Sequence, residues 1–212
     1  MSNLNPKMFL EEIEWYINTY EIDIETVNHN NIEYENYEQL LYGNDIFDFR
    51  YGATRGCFIP EYQDKLSFVF KFDFNELEEE YCKRECEIYN DAIEAGLEDC
   101  FTKIKRFGSI FSVPIYKCEY AEIAALDCEI SKQTKDMINK HTSKHDHAPD
   151  MHLPWVADFI NYYGFEVYDK FLDFIIEHGI NDLHWNNVGY AEGRPVLTDY
   201  AGYFEENYAT DI

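Results

Sequence analysis

Lys71 stands in the middle of an apolar stretch, LSFVFKFDF, residues 66–74. Side chains alternate along a strand, so Phe68, Phe70, Phe72 and Phe74 share one face and Val69, Lys71 and Asp73 the other. A cation in such a strand is costly unless it is paired or functional, although an edge strand carries lysine routinely. Glu85 poses the converse problem. The stretch 75–95 reads as a helix, with Asn75 and Glu78 fitting an N-cap and its third-residue partner and Gly96 fitting the stop. At roughly 100° per residue, Glu85 falls among Tyr81, Cys82, Ile88 and Ala92, away from the charged face. A carboxylate aimed at a core needs a cation, and Lys71 is the candidate. The plainer alternative is a glutamate at the border of a wide apolar stripe, reaching water with its tip.

A second set of chemically able residues lies in INDLHWNNVGYAEGRPVLTDYAGY, residues 180–203. VGY and VLT read as short strands flanking the turn-rich AEGRP. Pairing Val188 with Thr198 and Tyr190 with Val196 sets Asn187 opposite Asp199, with Cβ atoms roughly 5 Å apart. An amide oxygen and a carboxylate at that spacing can share one Mg²⁺, a hard cation that wants oxygen ligands and keeps waters. Asp182, five residues before Asn187, is free to act as a base or to orient a hydroxyl. Singly, these are ordinary turn-forming residues; together they are hard to obtain from turn chemistry.

The elements that must position these groups follow from periodicity. Residues 7–19 and 36–42 read as helices, and 46–51, 57–62 and 66–74 as strands. One or two further strands fall within 108–122. Residues 129–153 are polar, hold His141, His145, His147 and His152, and read as a solvated loop. Residues 154–178 read as helical with a break at Gly164, before the hairpin around 187–199. Strands come mostly first and helices second, which predicts an α+β chain rather than alternating βαβ units.

Composition bounds the partners. The chain has 212 residues, with 17 Lys+Arg against 42 Asp+Glu, a formal charge of −25. With 46% hydrophobic residues, 18 Tyr and 16 Phe, it has the means to fold. The charge opposes direct nucleic-acid binding, which rests on cations neutralising backbone phosphates, and an anionic membrane surface. It does not oppose a nucleotide held by a local cation, because surface charges are screened over about 8 Å at physiological salt. The N-terminus lacks the basic start and unbroken apolar run of a signal peptide, and no apolar stretch is long enough to span a membrane. A cytoplasmic protein is expected. The six cysteines are scattered without a CxxC pair, so reduced and mostly buried thiols are expected.

In their order along the chain, these residues resemble the protein-kinase superfamily. Lys71 in FVFK looks like the phosphate-anchoring lysine of the third strand, and Val69 like the small apolar residue above the adenine. Glu85 in KRECEIY looks like the helix partner of that lysine. Asp182 and Asn187, in DLHWNN, resemble the catalytic-loop Asp and the metal-binding Asn; Asp199, in DYAG, resembles the metal-binding Asp of the DFG motif. His184 is closer to the aminoglycoside- and choline-kinase-like branch, and the short design is similar to kinases carried by bacteriophages. YGATRG, with Gly52 and Gly56, stands where the phosphate-covering glycine loop belongs, but only as G-x-x-x-G. Ile180 and Asn181 replace the His and Arg that precede the catalytic Asp.

The resemblance implies a two-lobed kinase-like fold with a truncated C-terminal lobe, since 13 residues follow Asp199. Its expected parts are a helical extension at 1–44, an N-lobe at 45–124 and a C-lobe at 125–212. It implies ATP and Mg²⁺ as ligands and phosphoryl transfer to Ser or Thr of a protein. The rival expectation is a pseudokinase, an acidic decoy for a protein with a basic surface, although strong negative charge also serves solubility alone. A homodimer would cover the Phe- and Tyr-rich surface left by so small a C-lobe.

Overall fold

The computed structural model describes residues 5–34, 37–42, 45–61, 66–74, 80–125, 129–181 and 183–201. The chain is mixed α+β with antiparallel sheets, and it divides into two compact units. The first comprises Met1–Cys86 and Ile104–Tyr120, the second Glu87–Lys103 and Ala121–Ile212.

The first unit starts with helix α1 (Pro6–Thr19), where Asn5 caps the backbone N–H of Lys7 and Pro6 occupies the first turn. Phe9, Ile13, Tyr16 and Ile17 form its buried stripe. A single helical turn, α2 (Glu38–Leu41), precedes strands β1 (Phe47–Tyr51), β2 (Arg55–Pro60) and β3 (Phe68–Asp73). Helix α3 (Tyr81–Ala95), which belongs to this unit only as far as Cys86, follows β3, and the unit resumes with β4 (Ile104–Ile110) and β5 (Val113–Glu119). The sheet order is β1-β2-β3-β5-β4, antiparallel throughout. The proposed start of α3 at Asn75 and Glu78 lies outside the described residues; its end matches the expectation, with Gly96 at φ 69°.

The phenylalanine face of β3 builds the core. Phe68, Phe70 and Phe72 pack with Phe47, Phe49 and Phe58 of the neighbouring strands and with α1. Phe9 of α1 stacks on Phe70 at 5.5 Å, and Phe58 stacks on Phe72 at 5.4 Å. Such pairs add about 0.5–1.5 kcal/mol each beyond their buried area. The described residues of the N-terminal segment share the core of the sheet. Ile22, Ile24, Val27, Ile32 and Leu40 belong to the same buried cluster as the strands, because one face of the sheet needs a cover and this segment supplies it.

The second unit holds β6 (Glu122–Ile123), α4 (Lys132–Thr142), α5 (Leu153–Tyr163), α6 (Phe165–Glu177), β7 (Val188–Ala191) and β8 (Arg194–Leu197). β6, β7 and β8 form a three-stranded antiparallel sheet. Gly164, at φ 84°, separates α5 from α6, as expected. Trp155, fully buried among Phe159 and Phe171, donates its indole N–H to the Gly189 carbonyl at 3.1 Å, tying α5 to the hairpin.

The polar stretch 129–153 is not simply a loop. Ser131 caps α4 by accepting from the Thr134 N–H, and the last turn carries Lys140 and His141, which suit the negative end of the helix dipole. His145 donates toward both Asp173 (Nδ1, 2.8 Å) and Asp169 (Nε2, 3.1 Å) of α6, and His141 Nε2 lies 2.5 Å from Asp169. Burial opposes the charged form of His145, but the bonds and charges of Asp173 and Asp169 outweigh it and hold its pKa above 6.5. Burial also acts against the Asp169 carboxylate, yet the two imidazoles hold its pKa below 3.8. The raised His145 contributes stability that is complete below pH 6.5 and lost as pH rises through its folded value. The depressed Asp169 contributes stability that is present above pH 3.8 and lost as pH falls through its folded value. The tether between α4 and α6 is thus strongest in mildly acidic solution. Hydrogen exchange of α4 amides, corrected for intrinsic rate, should show protection falling several-fold from pH 6 to pH 8.5, and His145→Asn should abolish that change.

Candidate functional site

β3 positions Lys71 in the first unit. The strand lies between β2 and β5, with Lys71 facing Cys57 on one side and Tyr116 on the other. The edge-strand explanation of this lysine therefore fails. On α3, Tyr81, Cys82, Glu85, Ile88 and Ala92 are buried, and Glu85 has 0% exposure. Lys71 Nζ lies 3.3 Å from Glu85 Oε2, so the two residues singled out by their misplaced charges meet. Val69 is buried on the same strand face as Lys71, two residues before it.

A third residue joins them. Arg55, at the start of β2, places Nη1 2.8 Å from Glu85 Oε1, and its guanidinium lies 5.6 Å from the centre of the Tyr81 ring. Sequence reading put Arg55 in the YGATRG loop and gave it no role. The available signal was alternation: once 55–60 is a strand with Gly56 and Phe58 inward, Arg55 shares a face with Cys57, and Cys57 faces Lys71. Asp73 was also left without a role. Its carboxylate accepts from the Cys82 N–H at 3.1 Å, satisfying one of the open donors in the first turn of α3. Burial pushes its pKa up, against the pull of that bond and of Arg55.

The two glycines have different surroundings. Gly52 is exposed in the β1–β2 turn, where its N–H bonds the Arg55 carbonyl at 2.9 Å. Gly56 is buried within β2, and a Cβ there would come 2.5 Å from the Phe72 ring and 2.7 Å from Phe49. Aromatic packing alone accounts for Gly56. Burial raises the thiol pKa of Cys57, beside Lys71, to about 11, against the opposing pull of Lys71.

In the second unit, Asp182 lies outside the described residues. Leu183 is held by a parallel bridge to Met151, and its carbonyl accepts from the His152 N–H at 3.2 Å. A 3-10 turn, Trp185–Asn187, follows, with His184 Nδ1 accepting from the Asn186 N–H at 3.2 Å. Asn187 then leads into β7, and Asp199 follows β8; both are half-buried.

The register of the hairpin differs from the expected one. Val188 pairs with Leu197, Gly189 with Val196, and Ala191 with Arg194. Glu192 (φ 51°) and Gly193 (φ 81°) make a two-residue turn with both residues left-handed, the conformation whose twist matches a tight hairpin. The expected pairing needed a three-residue loop. The one-residue shift sets Thr198 across from Asn187, with the Thr198 N–H on the Asn187 carbonyl at 2.8 Å. Asn187 and Asp199 are therefore not directly opposed; Asp199 is one residue beyond, at the open end of the same hairpin. As a donor set, an amide oxygen and a carboxylate oxygen suit Mg²⁺. Among the described residues, no three or more His, Cys, Asp or Glu are grouped to hold a metal ion. No helix among them is long and apolar enough to cross a membrane.

No family model, no curated protein and no solved structure matches this chain.

Proposed function

We propose that the protein is an ATP- and Mg²⁺-dependent phosphotransferase of kinase-like design, acting on Ser or Thr hydroxyls of a protein. The observation that carries the reading is the Lys71–Glu85 ion pair, made by the third strand and the helix that follows it. That pairing of strand and helix is the phosphate anchor of protein kinases. In this reading Lys71 neutralises ATP phosphates while Glu85 fixes its direction, and Val69 offers the adenine an apolar neighbour. Gly52 lets the β1–β2 turn approach the phosphates. Asn187 and Asp199 hold Mg²⁺, which supplies neutralisation of charge on the phosphate oxygens. Asp182 accepts the proton of the acceptor hydroxyl as its oxygen bonds the γ-phosphorus and ADP departs. Positioning and charge neutralisation supply most of the rate.

A second reading is favoured by the formal charge of −25, far more acid than such a site uses. There the same fold binds a basic protein surface and transfers nothing. Incubation with γ-labelled ATP, Mg²⁺ and a pool of basic acceptor proteins separates the two. The enzyme reading expects label on Ser or Thr, falling on the order of 100-fold or more in Asp199→Asn. Wild-type labelling no higher than that of Asp199→Asn overturns it in favour of the scaffold.

A further inference from the structure

Glu85 is a buried carboxylate with two cations, one on each oxygen. Arg55 holds Oε1 at 2.8 Å with its side chain 11% exposed; Lys71 stands 3.3 Å from Oε2 with its side chain 17% exposed. A buried carboxylate with one cation cannot lend that cation to a ligand without being left uncompensated, which is expensive. With two, one can stay while the other turns away.

We propose that Arg55 is a positioning residue, the permanent counter-ion of Glu85, and that it thereby frees Lys71 to serve the anionic phosphates of the nucleotide. This rests on the phosphotransferase reading for the identity of the ligand. The geometry of the clamp does not. Arg55 is suited to the fixed role, because its guanidinium stays protonated and lies against the Tyr81 ring with Nη1 beside Glu85 Oε1. Lys71 is suited to the movable role, being a point charge on a flexible stem. Arg55 is also fixed from behind: it starts β2, opposite Asp73 in the ladder, and Asp73 is bonded to the first turn of α3. β2, β3 and α3 are thus joined around one carboxylate before any ligand arrives.

The test has two arms. In the first, Arg55→Met, Lys71→Met and the double substitution are unfolded in denaturant without nucleotide, in the wild-type and Glu85→Gln backgrounds. The clamp predicts that Arg55→Met lowers the midpoint more than Lys71→Met. The double substitution should cost more than the sum of the two, because only then has Glu85 lost both of these cations. In Glu85→Gln that excess should vanish. Additive losses, or a larger loss from Lys71→Met, overturn the clamp. In the second arm, binding of ATP with Mg²⁺ is measured directly. Arg55→Met should weaken it about tenfold, equivalent to about 1.4 kcal/mol, since phosphate must then compete with Glu85 for Lys71. Arg55→Lys should recover most of that loss. A lower midpoint with unchanged affinity would make Arg55 merely structural and overturn the proposal. If wild type binds no ATP, the phosphotransferase reading fails, and the clamp still stands or falls on the unfolding arm.

Discussion

Glu85→Ala is expected to destabilise the protein by about 3–5 kcal/mol, the range for removing one partner of a buried ion pair. The carboxylate has 0% exposure, and the two cations it serves are themselves mostly sequestered. Lys71, a point charge on a flexible stem, can relieve its isolation by reaching toward water. Arg55 cannot lose a proton and keeps its charge over the Tyr81 ring. Glu85→Gln should cost less, about 1–3 kcal/mol, because the amide oxygen still accepts a hydrogen bond. Denaturant unfolding of the two variants beside wild type reads both effects. A Glu85→Ala midpoint equal to that of wild type would mean the cluster is solvated, and the account of this charged core would be wrong. Lys71→Met is predicted to be milder than sequence reasoning implied. Sequence gave Glu85 only one cation to lose, whereas the structure leaves it Arg55.

Features with a strong period were legible. Alternation over Phe68, Phe70, Phe72 and Phe74 identified both the strand and its buried face, and the apolar stripe of α3 isolated Glu85 as the one mid-helix residue needing an explanation. Gly96 and Gly164 marked helix ends because each takes a left-handed conformation there. Helix α4 escaped because its signal is thin. Ile138 is its one buried residue, so the segment has almost no apolar stripe, and what anchors it is a pair of histidines meeting Asp169 and Asp173 from about 30 residues away. The membership of residues 87–103 in the second unit escaped for a similar reason. Phe101 bridges to Leu197, and the Tyr200 hydroxyl donates to the Thr102 carbonyl at 2.7 Å. No local pattern encodes a contact across so much chain.

The candidate site was half legible. Lys71 and Glu85 were identified by the cost of burying charge, and their meeting needed only the strand-then-helix order. Arg55 was missed because a loop reading of YGATRG gave it no face. The hairpin register was missed because Glu-Gly is a weaker turn signal than Asn-Gly or Asp-Gly, and a two-residue and a three-residue loop suit the same letters. That single residue decides whether Asn187 faces Thr198 or Asp199.

The second large effect is ligand stabilisation, and it bears on the central claim that the protein binds ATP with Mg²⁺ through Lys71 and Asp199. Ligand at 100 times its dissociation constant adds about 2.7 kcal/mol to the folded state. For a chain of this size that raises the melting temperature by roughly 5–11 °C. The decisive measurement is a thermal-unfolding titration of wild type, Lys71→Met and Asp199→Asn with ATP, in the presence and absence of Mg²⁺. The account predicts a saturable rise in wild type that needs Mg²⁺, is much reduced in Lys71→Met, and loses its Mg²⁺ dependence in Asp199→Asn. A wild type whose melting temperature does not move at millimolar ATP and Mg²⁺ would contradict it.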